Sequence, residues 1–170
     1  VAPVDAHGEE QRLVFTNYTD YTELFVEFAA LVVDQESRFA AHVTELSDHA
    51  PLLKGQLDVV LERDRQPVAR FRVRAPSRPG IFTPSVTPRD AGEFDLVIEV
   101  DYDSRKARHE LGSITVFDKR SDVVVRQPQS VGDIGFLKEQ QWQGQFGTTV
   151  ATAKPLRQSV PGFAVVEAPD

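Results

Sequence analysis

From about residue 12 onward, apolar and polar residues alternate with period 2, the spacing of strands that bury one face. In GQLDVVLER, Leu57, Val59 and Leu61 fall on one face, with Gln56, Asp58 and Glu62 on the other. VARFRVRA sets Phe71 and Val73 against Arg70, Arg72 and Arg74. The polar ERDRQP between these runs ends in Pro67, which predicts a hairpin. GEFDLVIEVDY continues the pattern, with Phe94, Leu96, Ile98, Val100 and Tyr102 inward. The runs RLVFTNY, TELFVEF, SRFAAHVTEL and SITVFD bring the expected total to seven or eight strands.

Strands of this length, broken by Pro, Gly and Asp clusters and joined by no helical crossover, predict an all-β, immunoglobulin-like antiparallel β-sandwich rather than a parallel sheet. In RPGIFTPSVTPRDAGEF, three prolines and two glycines force an irregular connection. Asp90, Gly92 and Phe94 then have the spacing of the D-x-G-x-Y corner of immunoglobulin-like domains, with Phe94 lacking the hydroxyl. An ordinary Asp-x-Gly turn before a strand accounts for them equally well. Beyond Phe117 the polar DKRSD marks a boundary, VVVRQPQSVGD is a short strand and linker, and LKEQQWQ has the helix formers for one or two turns before Gly144. The expected organisation is a flexible tail over 1–12, a sandwich over 13–120, and an extended segment with one short helix over 121–170. That last piece is too small to bury a core of its own.

Composition narrows the chemistry. The 170 residues suffice for one good core, and a net charge of -7 repels nucleic-acid backbones and anionic lipid. No run reaches the roughly 18 to 20 apolar residues that span a bilayer, so no direct membrane insertion is expected. With neither Cys nor Met, disulfides, thiolate sites and thioether copper ligation are excluded. No G-x-S-x-G elbow, H-E-x-x-H helix, P-loop or G-x-G-x-x-G turn occurs, so the expected function is non-enzymatic. The acids Asp95, Glu99, Asp101 and Asp103 alternate as on a solvent-facing strand.

The candidate metal ligands are His42, Glu45, Asp48 and His49, gathered in AHVTELSDH. If Phe39, Ala41 and Val43 face the core, His42 faces out and His49 lies in the loop before Pro51. Imidazole and carboxylate at such a site suit zinc, cobalt, nickel or cadmium. Scattered surface histidines beside acids are the plainer reading. His7 belongs to a solvated tail, and His109, in ARHELG beside a turn, receives no role. Arg70, Arg72 and Arg74 either meet an acidic partner or pair across strands with carboxylates such as Asp58 or Glu62.

The C-terminal order of elements resembles a known family. Phe136, Leu137, Glu139, Gln140, Gln141 and Trp142 are followed by Phe146, Thr148 and Val150, then by Leu156, Arg157, Ser159 and Val160. This order is similar to the opening of the membrane-proximal part of periplasmic adaptor subunits, or membrane fusion proteins, of heavy-metal-type RND efflux systems. The stretches FTNYTDYTELFVEFAALVVDQESRFAAHVTEL and PGIFTPSVTPRDAGEFDLVIEV are similar to the extra N-terminal β-domain of some of these adaptors. The resemblance implies an N-terminal fragment in the Gram-negative periplasm, with the lipoyl-like, hairpin and barrel domains beyond residue 170. It also implies an inner-membrane RND transporter and an outer-membrane channel as partners, and divalent heavy-metal cations as cargo. Trp142 would then pack the short helix against the barrel, dock on the sandwich, or stay partly exposed. The alternative class is a free-standing periplasmic or secreted β-sandwich that binds a carbohydrate or protein ligand through its loops; a spacer without any ligand is the third.

Overall fold

The alternating residues close into two facing sheets. The computed structural model describes residues 12–124, 137–144 and 153. Its strands are β1 (Arg12–Tyr18), β2 (Thr22–Ala29), β3 (Leu31–Val32), β4 (Ser37–Arg38), β5 (Ala40–Glu45), β6 (Gln56–Arg63), β7 (Gln66–Val73), β8 (Ile81–Phe82), β9 (Ser85–Val86), β10 (Gly92–Tyr102) and β11 (Arg105–Phe117). A 3-10 turn at Arg120–Asp122 follows, and the helix α1 spans Lys138–Gln141. Sheet A has the order β1-β2-β5-β8, sheet B the order β3-β11-β10-β6-β7, and β4 pairs with β9 in a small ribbon. The fold is the expected all-β, immunoglobulin-like sandwich. Only Ala30 separates β2 from β3, so the chain leaves sheet A and at once joins sheet B, where Leu31 and Val32 pair in parallel with Val116 and Phe117.

Each sheet turns one face inward. Sheet A contributes Leu24, Val26, Phe28, Ala41, Val43 and Phe82; sheet B contributes Leu57, Val59, Leu61, Leu96, Ile98 and Val100, all buried. Phe28 lies at the centre, stacked on Phe39 at 3.9 Å and on Phe15 at 5.9 Å between ring centroids. Two hairpins fix the register of sheet B. Asp64 and Arg65 join β6 to β7 with φ of 52° and 61°, and Asp103 and Ser104 join β10 to β11 with φ of 43° and 65°. Positive φ at both central residues matches the right-handed twist of the flanking strands, which is why such turns close tight hairpins.

SITVFD is only the second half of β11, which begins at Arg105. The first half was hidden because its inward residues are Ala107 and His109, set between Lys106, Arg108 and Glu110. A bulge also breaks the pattern. Leu96 pairs with Gly112 and Val97 with Glu110, so Leu111 is an extra residue on β11 and the inward positions change parity there. Likewise SRFAAHVTEL divides at Phe39 into β4 and β5.

Truncating Phe28 to Ala removes the middle ring of the stack, and burial of this completeness predicts a loss of about 3–5 kcal/mol. Urea unfolding of the two proteins, compared at equal m-value, measures it.

Candidate functional site

Sheet A has an outer face as well as an inner one, and α1 lies on it. By strand alternation and register, Glu23 stands opposite Thr44, and Phe25 opposite His42, which in turn is opposite Ile81. On bare sheets such residues meet water, but here they meet the short helix. Lys138 Nζ donates to Glu23 Oε1 at 2.5 Å, the Glu139 carboxylate is 3.1 Å from His42 Nε2, and the Trp142 indole N–H donates to Thr44 Oγ1 at 2.8 Å. Glu23 is held from its other side by the Tyr18 hydroxyl at 2.8 Å. The backbone N–H of Glu139, together with His42, keeps the Glu139 carboxyl below the usual carboxylate range.

The indole fits a seat of small groups. It tilts against the His42 ring at 5.9 Å and covers Gly80, where a Cβ would overlap the Trp142 ring and lie 2.7 Å from Pro51 Cβ. Gly80 is itself fixed, since its carbonyl accepts from Val43 N–H at 2.8 Å and its N–H donates to the Leu52 carbonyl at 2.9 Å. Its φ of 75° adds a second reason for glycine. The floor of the seat is thus part of the sandwich. Within α1, the Gln140 side chain accepts from Leu137 N–H at 3.1 Å, closing the first turn. Four residues are far short of an independently stable helix, so side-chain contacts with sheet A hold it. The short helix appears where the sequence placed it, and Trp142 takes the sandwich-docking alternative.

The four candidate metal ligands do not converge. His42 faces away from the core as expected, yet it is buried, with 9% of its surface exposed, because α1 covers it. Glu45 is three residues along a strand and so on the opposite face; its carboxylate bonds Arg105 at 3.2 Å. Asp48 accepts from Ala50 N–H at 3.0 Å, and His49 sits exposed in that turn with φ of 58°. No group of three or more His, Asp or Glu able to hold a metal ion occurs among the described residues. His7 and the matched residues Phe136, Phe146, Thr148, Val150, Leu156, Arg157, Ser159 and Val160 lie outside the described residues.

His109, to which the sequence assigns no role, is the largest fully buried polar side chain among the described residues. Asn17 donates its amide N–H to the Glu110 carbonyl, which turns Asn17 Oδ1 toward His109 Nδ1 at 3.0 Å. That oxygen can only accept, so Nδ1 carries the proton and Nε2 accepts from the Thr22 hydroxyl at 2.9 Å. A neutral ring satisfies both partners, and burial lowers the His109 pKa to about 4. On the outer face of sheet B, Arg70 and Arg72 of the arginine row form cross-strand pairs. Arg70 and Arg72 both bind the buried Asp58 at 2.7 Å, Glu62 is taken by Arg108 at 2.8 Å, and Glu99 lies between Arg70 and Arg108. The hydrogen bond from Arg72, with Arg70 behind it, keeps Asp58 below its ordinary range despite burial.

No family model matches the chain, and no curated protein matches it. Among solved structures, it is similar to the CARDB domain of the PF1109 protein from Pyrococcus furiosus, crystallised in complex with di-metal ions. The identity is 16% and the TM-score 0.36, over 60% of this chain and 99% of that one. The metal ions are a property of that protein. Among the described residues no helix is long and apolar enough to cross a membrane.

The chain has one tryptophan, so its fluorescence reports the seat directly. Gly80→Ala is expected to eject the indole, shift its emission to the red and raise its quenching by acrylamide, while far-UV circular dichroism keeps the β signal. Acid tests His109. Its folded pKa lies below the unfolded value of 6.5, so the unfolded chain takes up the proton first as pH falls. The stability carried by the neutral ring is complete above that value and lost down to about 4, a change of about 3 kcal/mol between pH 7 and pH 4. Urea midpoints measured against pH should show this slope, and His109→Gln should flatten it.

Proposed function

We propose that this chain is a non-enzymatic positioning region of a periplasmic adaptor subunit of a heavy-metal-type RND efflux system. One observation carries the reading: Glu139 and Trp142, two of the residues in which the resemblance lies, are two of the three that seat α1 on sheet A, beside Lys138. A sandwich that grips α1 fixes the place and direction of that helix, which is what a positioning region has to do. Its rigidity comes from the core, and its grip from Glu23, His42, Thr44 and Gly80. Divalent cations such as zinc, cobalt, nickel or cadmium are the cargo of the pump in this reading. His42, Glu45, Asp48 and His49 are not their resting place, because three of the four side chains already serve other contacts and the four form no metal-holding group among the described residues.

The test is metal tolerance of the source cell. Deleting the gene for this chain should lower the tolerated concentration of at least one of these four metals several-fold. Complementation by a Lys138→Glu, Trp142→Ala variant, which cannot seat α1, should restore less tolerance than the wild type at equal protein level. Unchanged tolerance to all four metals after deletion would overturn the reading.

A further inference from the structure

The seat on sheet A is a complete recognition site that happens to be filled by the chain's own helix. Its parts are chemically distinct. Glu23, 6% exposed and braced by Tyr18, calls for a cation. His42 Nε2 meets a carboxylate, and the slot bounded by Gly80, Pro51 and Thr44 takes an indole whose N–H needs an acceptor. On α1 these demands are met at Lys138, Glu139 and Trp142, that is at positions i, i+1 and i+4 of one helical turn. Spacing of that kind places the first and last side chains on one face.

Two features make the occupant replaceable. The helix is four residues long and has no stability of its own, so it is bound rather than built in. Among the described residues the buried core runs from Leu24 to Val116, and none of it belongs to α1. Among the described residues His42 Nδ1 is also buried without a hydrogen-bond partner, so α1 leaves one polar atom of the site unsatisfied. A ligand that improves on α1 is therefore chemically possible.

We propose that the outer face of sheet A is a docking site for a short helix of a partner protein carrying a cation, an adjacent carboxylate and a Trp one turn on, and that α1 is its built-in competitor. Docked, α1 closes the face; displaced, it leaves the face open to the partner. Binding of the partner helix and release of α1 are thus one equilibrium. A partner must outcompete a tethered helix present at an effective concentration on the order of millimolar. This inference does not depend on the efflux reading, since it rests on the seat alone.

The probe is the synthetic peptide FLKEQQWQG, residues 136–144 of this sequence, added to the full chain carrying Trp142→Ala. That protein contains no tryptophan, so all indole emission comes from the peptide. The expected result is a saturable blue shift, with wild-type protein binding the peptide at least about tenfold more weakly because its own α1 competes; wild-type binding is read with a peptide labelled at its N-terminus. Adding Gly80→Ala to the Trp142→Ala protein should abolish the shift by filling the slot, and Glu23→Gln, which leaves the backbone of the seat untouched, should weaken it several-fold. Circular dichroism confirms that each protein is folded. No saturable shift at millimolar peptide, or equal binding to wild-type and Trp142→Ala proteins, overturns the proposal.

Discussion

Everything in this molecule follows from the need of two sheets to hide one face each. A strand alternates its side chains, so Leu24, Val26 and Phe28 cannot be buried without sending Glu23, Phe25 and Glu27 the other way. The inner faces pair with each other and make the core. The outer faces must find their own solutions, and they find different ones. Sheet B covers its outer carboxylates with arginines from neighbouring strands, whereas sheet A receives a helix.

These solutions differ in permanence. On sheet B, Asp58 and Glu62 are buried under Arg70, Arg72 and Arg108, all of which belong to strands of the same sheet and stay in place as long as the sheet does. On sheet A the covering groups come from a segment that contributes nothing to the core. Its hold is the sum of an ion pair, a histidine-carboxylate contact and one indole in a slot. The Lys138–Glu23 pair is largely buried, so its attraction is set against the cost of desolvating both charges, and the three contacts become specific only as a set. The same set that orients the segment therefore also defines what could replace it.

Inside, His109 shows the opposite case. It replaces an apolar residue in the core, and it is tolerated because Asn17 and Thr22 supply one acceptor and one donor to a neutral ring. Asn17 comes from β1 and Thr22 from β2, so the histidine fastens β11 of sheet B to the corner of sheet A. A buried polar group that is fully paired in this way fixes relative position rather than adding to the hydrophobic drive.

The strands, the two-sheet class and the short helix were legible because they depend on local spacing, period 2 in the strands and uninterrupted helix formers in LKEQQWQ. β7 shows how far this goes, since Arg70 and Arg72 stand outside and Phe71 and Val73 inside, as alternation requires. Local spacing does not carry which side chains meet across distance. His42 and Glu45 are close in sequence but on opposite faces, while His42 and Glu139 are 97 residues apart and in contact. The start of β11 was lost because alanine and histidine fill its inward positions and a bulge changes its parity. The sequence by itself determined which residues share a face wherever a strand is free of bulges, because backbone geometry sets that within a few residues. Only the tertiary structure decided what covers each face, because that depends on register, on a glycine left bare at position 80, and on a helix brought from far along the chain to lie over it.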